Sequence, residues 1–75
     1  MNEDEKRLLA FLDHICLKLG FCLPKSTRHE ISRGGPYSAD QIAGIVLEKE
    51  GLNPDGELRH FRDIRNEYTA FIERI

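Results

Sequence analysis

Two segments of the chain carry apolar residues at the three- and four-residue spacing of an amphipathic α-helix. The first covers about residues 4–19, and the apolar residues at this spacing are Leu8, Phe11, Leu12, Ile15, Cys16 and Leu19. The second covers about residues 55–74, and the apolar residues at this spacing are Leu58, Phe61, Ile64, Tyr68, Phe71 and Ile72, with Ile75 just after them. This spacing places the apolar side chains of each segment on one face of a helix. We therefore predict an amphipathic helix in both.

A third segment, residues 38–50, has both a start and a stop signal for a helix. Ser38 followed three positions later by Gln41 fits a capping box, in which each side chain bonds the backbone N–H of the other residue. At the other end, Gly51 suits the left-handed conformation that closes many helices. We predict a central helix between these two signals.

The middle of this central helix has no polar side chain. Residues 42–47 are apolar or glycine, a pattern typical of a helix covered on more than one side. Gly44 costs about 1 kcal/mol relative to alanine inside a helix. A helix tolerates that cost where another backbone must come close, so we expect a close neighbour at Gly44.

The connection at residues 21–36 is long for a compact domain unless it has structure of its own. Ser26 is a candidate cap for a short helical turn through Ile31, which the glycines and proline at 34–36 would end. A short strand at 28–32 is the competing interpretation. We favour the helical turn over the strand, with an irregular segment as the remaining alternative.

Together these patterns predict an all-α fold. We expect a small bundle of three main helices, about 4–19, 38–50 and 55–74, packed antiparallel around residues 42–47 in a single domain, 1–75. A chain of 75 residues buries only roughly 60% of the surface that it exposes when unfolded. Such a marginal core favours a partner or a homodimer.

Composition and charge narrow the classes of function. Charged residues make up 32% of the chain and the net charge is −2, so overall charge gives no reason to expect a nucleic-acid or membrane surface. The N-terminus is acidic and then basic, with no long apolar run behind it, so we expect neither a signal peptide nor a membrane span, and we expect a cytoplasmic protein. The two cysteines, Cys16 and Cys22, are too few for a disulfide scaffold, and we expect reduced thiols.

Metal and thiol chemistry are weakly supported. His14, Cys16, Cys22 and His29 are potential zinc ligands, but they lack the close pairs of structural zinc sites, so we expect no metal and no cofactor. Cys22 with His29 could form a nucleophile and base, but the sequence shows no oxyanion arrangement or orienting group. We expect no enzymatic activity, and a thiol-dependent enzyme is the third-ranked hypothesis.

The basic segment at 25–33 supports the second-ranked hypothesis, a binder of anions or nucleic acid. Its cations and the glycines after them precede the N-terminus of the central helix, where free N–H groups favour a phosphate. The candidate residues are Lys25, Arg28, His29, Arg33, Gly34 and Gly35. The competing interpretation is an ordinary solvated loop. Nucleic acid is the less favoured partner, because the turn at 51–53 fits a helix-turn-helix poorly.

The first-ranked hypothesis is a protein-interaction or regulatory module that acts through apolar helix faces. A bundle this small is not expected to cover fully both the apolar stripe of the first helix and that of the last helix. The candidate interaction face comprises Phe61, Tyr68, Phe71, Ile72 and Ile75. The competing interpretation is that these residues are core. We expect an unidentified protein partner or self-association, and no membrane.

Overall fold

The computed structural model of the protein describes residues 3–73, with the backbone alone described for Glu73. Within this range the chain is all-α, as predicted, but it has four helices where we expected three main ones. They are α1 (Glu3–Leu19), α2 (Lys25–Gly34), α3 (Ala39–Lys49) and α4 (Leu58–Glu73). None of the four is both long enough and apolar enough to cross a membrane.

The chain divides into two compact units at Pro36. The N-terminal unit contains α1 and α2, which pack on each other, and the C-terminal unit contains α3 and α4, which also pack on each other. Each unit is therefore a pair of helices joined by a short connection. The predictions of one domain and of a single bundle around residues 42–47 stay predictions.

The connection at 21–36 contains a helix of ten residues, which is longer than the short helical turn that we predicted. The alternative prediction of a strand at 28–32 was wrong. The helix α2 begins directly after Pro24, whose carbonyl accepts the Arg28 N–H at 3.0 Å. Ser26, our candidate cap, lies inside the helix. The sequence signal was weak because only two α2 side chains, Ile31 and Ser32, are buried, and one of them is polar. The Ser32 hydroxyl donates to the His29 carbonyl at 2.8 Å, which satisfies it.

The helix α1 lies where its apolar stripe predicted. Its buried side chains are Leu8, Phe11, Leu12 and Ile15. The helix closes at Gly20, which has a φ of +83° and donates its N–H to the Cys16 carbonyl at 3.2 Å. Glycine adopts this left-handed conformation at little steric cost, so the chain turns away here toward Leu23, which is buried.

The two cysteines are joined in a disulfide, so our expectation of reduced thiols was wrong. Cys16 lies in the last turn of α1 and Cys22 in the connection to α2, six positions later in the chain. The turn at Gly20 reverses the chain and brings the two Cα atoms to 4.3 Å. The spacing alone did not reveal this proximity, because it depends on where α1 ends.

The C-terminal unit is organised by α3. Its start matches the prediction, since the Ser38 hydroxyl accepts the Gln41 N–H at 3.1 Å and the Gln41 side chain accepts the Ser38 N–H at 2.9 Å. Its end also matches, since Gly51 has a φ of +79°. Between these ends, four apolar side chains are completely buried, and they are Ile42, Ala43, Val46 and Leu47.

The last helix begins three residues later than the stripe predicted. Residues 53–56 form a turn in which Asn53 accepts the Asp55 N–H with its side chain at 3.0 Å and the Gly56 N–H with its carbonyl, also at 3.0 Å. These local bonds compete with the helix, as is common for asparagine. The first i to i+4 hydrogen bond of the helix joins the Phe61 N–H to the Glu57 carbonyl at 2.9 Å. The predicted final residue, 74, lies outside the described range.

Gly44 does not have the close neighbour that we expected. A Cβ atom at this position would meet no atom of the described chain within 4 Å, apart from the two chain neighbours and the adjacent backbone of its own helix. Packing therefore does not require a glycine here. Glycine loses more backbone entropy than alanine when it folds into a helix, and no contact at this position offsets that loss.

We predict opposite effects for the same substitution at two glycines. Gly44→Ala should raise the free energy of unfolding by about 1 kcal/mol, because alanine is the better helix former and its methyl group enters open space. Gly51→Ala should lower it by about 1 kcal/mol, because an alanine is strained at positive φ. Urea unfolding followed by circular dichroism measures both. Destabilisation by Gly44→Ala would show that the helix is approached closely there after all.

We also predict that reducing the disulfide destabilises the protein. The bond closes a short loop, for which the loss of unfolded-chain entropy corresponds to about 2 kcal/mol. The midpoint of urea unfolding should therefore fall when a thiol reductant is added. The matched control is the double variant Cys16→Ser with Cys22→Ser, whose midpoint should be low and insensitive to reductant. Equal midpoints for the wild-type chain with and without reductant would contradict the prediction.

Candidate functional site

The N-terminal unit contains a half-open cavity of about 350 Å³ between its two helices. Leu9 and Asp13 line it from α1, and Lys25, Arg28 and His29 line it from α2. Leu9 and Asp13 are four positions apart, and Lys25 precedes Arg28 and His29 by three and four positions, which places each set on one side of its helix. We call this space the α1–α2 cavity. It brings together three of the six residues that we predicted for an anion site.

Arg28 connects the two walls of the α1–α2 cavity. One terminal nitrogen of its guanidinium, Nη1, donates to the Asp13 carboxylate in an ion pair. Its Nε atom is buried and has no hydrogen-bond partner within the described part of the chain. A buried donor left without a partner is costly, so the guanidinium is held by fewer bonds than it can make.

The other predicted anion-site residues do not line this cavity. Arg33 is exposed in the last turn of α2, Gly34 is the final residue of that helix, and Gly35 follows it. The N-terminus of α3, which we expected to complete the site, begins the other unit, and its own Ser38 already accepts one of its first N–H groups. The basic segment is thus a helix with one cationic face, not an open loop.

Sequence reasoning missed Leu9 and Asp13. Both are on α1 at a spacing of four, outside the buried set, and we placed neither in a candidate site. Asp13 carried a usable signal, because an exposed acid on α1 is a natural partner for the cations of the following segment. The sequence did not reveal that α2 is a helix of ten residues. The helical conformation places Arg28 on the face of α2 that contacts Asp13.

The candidate interaction face on α4 is partly core and partly exposed. Tyr68 is only 9% exposed and belongs to the core, whereas Phe61 and Phe71 are half-buried. Ile72 is 41% exposed, and Leu58, which we had not placed in the face, is 64% exposed. The fifth predicted residue, Ile75, lies outside the described residues.

A shallow depression of about 280 Å³ lies beside Ile72. Its lining comes from the start of α3 and the second half of α4, and comprises Tyr37, Ser38, Ala39, Tyr68, Thr69 and Ile72. The Tyr68 hydroxyl donates to the Tyr37 carbonyl at 3.1 Å and so joins the two sides. About one helical turn before Tyr68 on α4, the Arg65 guanidinium lies 3.8 Å from the Asp40 carboxylate.

Catalytic and metal chemistry gain no support from the geometry. Cys22 is disulfide-bonded, so it holds no thiol that could act as a nucleophile with His29. Among residues 3–73, no group of three or more histidine, cysteine or acidic side chains is arranged to hold a metal ion. Comparisons of the chain with protein-family models, with curated proteins and with solved structures find no match. The two candidate sites are therefore the α1–α2 cavity and the exposed apolar side of α4.

We predict that Tyr68→Phe lowers the free energy of unfolding by about 1 kcal/mol. The phenyl ring fills the same space, so the change removes the hydroxyl and its hydrogen bond to the Tyr37 carbonyl. Thermal unfolding of the variant beside the wild-type chain measures the loss. An unchanged stability would mean that water replaces the hydroxyl without cost.

Proposed function

We propose that this protein is a small protein-interaction module that binds a second copy of itself through one flank of α4. The flank comprises Leu58, Phe61, Arg65 and Ile72, and we call it the α4 flank. The observation that carries the proposal is the exposure of two large apolar side chains on it, 64% for Leu58 and 41% for Ile72. Association removes apolar surface from water, and that is its main driving force.

The spacing of these residues suits contact with another helix. Leu58 and Ile72 are about four helical turns apart and face nearly the same direction, with Arg65 halfway between them. Half-buried Phe61 lies at the edge of the same stripe. Three apolar residues spread over this length, with Arg65 among them, match the seam along which two helices pack. The depression beside Ile72 gives an apolar side chain of the partner a place to enter.

A second copy of the chain is the partner that fits this row best. In a two-fold dimer a residue i of one copy that contacts residue j of the other is matched by a contact of j with i. An antiparallel pair of α4 helices centred on Arg65 therefore places Leu58 of each copy opposite Ile72 of the other. The Arg65 side chains then meet near the axis. Each already lies beside Asp40, which offsets the repulsion and offers a carboxylate for pairing across the interface.

The other hypotheses from the sequence rank lower. A thiol-dependent enzyme requires a free thiol, and the disulfide at Cys22 argues against one. We propose a non-enzymatic role for the same reason. The disulfide favours an oxidising compartment over the cytoplasmic location that we expected, because disulfides are uncommon in cytosolic proteins. Nucleic-acid binding has no specific support on α4, where the Arg65 side chain lies beside an acid.

The proposal predicts that a single charged residue on the α4 flank abolishes self-association. The wild-type chain should show a mass that rises from monomer to dimer with concentration in sedimentation equilibrium. Leu58→Glu or Ile72→Glu should keep it monomeric, because association would bury an unpaired carboxylate. The matched control is Leu17→Glu, which places the same charge at a leucine that is 90% exposed on α1.

Two results would contradict the proposal. One is a wild-type chain that stays monomeric at every concentration tested. The other is a loss of association in Leu17→Glu as large as that in the α4 variants. Such a result would mean that the contact lies elsewhere, or that any added negative charge prevents association. Circular dichroism of each variant separates a lost interface from a lost fold.

A further inference from the structure

We propose that the α1–α2 cavity binds a small oxyanion of the phosphate type. This site lies in the N-terminal unit and does not depend on self-association through α4. The cavity is large enough for such a ligand at about 350 Å³, and three of its five lining side chains carry N–H donors. Its chemistry therefore differs from that of the apolar α4 flank.

The donors converge from one face of α2. Lys25 carries a charged ammonium group with three N–H donors, and the His29 ring offers an N–H in either protonation state. Arg28 lies between them in sequence and lines the same cavity. With Asp13 as the one acid in the lining, the fixed charges at neutral pH leave a net positive site. An oxyanion with several acceptor oxygens can use donors from all three side chains at once.

The start of α2 adds to the attraction for an anion. Lys25 is the first residue of the helix and also lines the cavity, so the N-terminal end of α2 borders the site. Pro24, which precedes the helix, has no side-chain group that could cap it, and the first turn contains no acid. The first backbone N–H groups of a helix have no partner within it and carry partial positive charge.

Arg28 has an N–H donor that the described chain leaves without a partner. Its Nε is buried without a hydrogen bond from the described chain, while Asp13 contacts only Nη1. Phosphate oxygens pair with guanidinium groups two bonds at a time, which one contact to Asp13 does not provide. The Asp13 side chain is 64% exposed and can turn outward into water. A ligand that takes its place satisfies Arg28 more fully than Asp13 does.

The test is a titration of the full chain with inorganic phosphate at constant ionic strength, followed by the backbone amide resonances. We expect saturable shifts at the first turn of α2, at Lys25, Ser26 and Thr27. Lys25→Gln should weaken the affinity several-fold, and Arg28→Gln about tenfold, since bonds to charged groups are the stronger ones. Asp13→Asn should tighten it several-fold by removing the competing carboxylate.

The matched control is Arg33→Gln, which removes one positive charge from the same helix outside the cavity. Its affinity for phosphate should equal that of the wild-type chain, and acetate should bind more weakly than phosphate. Non-saturating shifts spread over the surface would overturn the proposal. So would equal weakening by Arg33→Gln and Lys25→Gln, or an Asp13→Asn variant that binds no better. Because Lys25 and Arg33 are exposed, both variants should keep the fold, and circular dichroism checks this.

Discussion

Burial of the apolar face of α3 is the interaction on which the C-terminal unit depends. Ile42, Ala43, Val46 and Leu47 are all removed completely from water, which makes this short helix the most deeply buried of the four. Its length is fixed at both ends, by the Ser38 capping box and by the left-handed Gly51. Burial of these side chains supplies most of the free energy that stabilises the unit. The positions of the two helix ends determine which side chains lie on the buried face.

The face of α3 also decides which part of α4 stays outside. Ile64 and Tyr68 are buried on α4, and the Tyr68 hydroxyl fixes that register by its bond to the Tyr37 carbonyl. The apolar stripe of α4 is wider than this buried part, so Leu58 and Ile72 extend beyond it. The exposed flank is thus a consequence of packing a broad stripe in a small unit, and it is where we place the contact with a second copy.

The N-terminal unit is held by a different balance of forces. Ile31 is the only apolar side chain of α2 and it is buried, so polar and covalent links carry more of the connection to α1. These links are the Arg28–Asp13 ion pair and the Cys16–Cys22 disulfide. Because these links leave most of α2 unburied, its cationic face lines the α1–α2 cavity. A cavity with this lining suits an anion better than an apolar partner. The two units therefore offer two surfaces of opposite chemistry.

The sequence by itself determined the all-α class, the position of α1 and both ends of α3. Each depends on local physics: the spacing of apolar residues, a capping box, and glycine at positive φ. The sequence also placed Lys25, Arg28 and His29 close enough to be considered together. It did not determine the extent of α2, because that helix has almost no apolar periodicity to reveal it.

Only the tertiary structure decided which partners these elements meet. It joined Cys16 to Cys22 through the reversal at Gly20, and it placed Asp13 against Arg28. It also divided the stripe of α4 into a buried Tyr68 and an exposed Ile72, although both fit the same helical spacing. The physical reason is that periodicity defines a face of a helix, whereas burial depends on how much of that face the neighbouring helix covers.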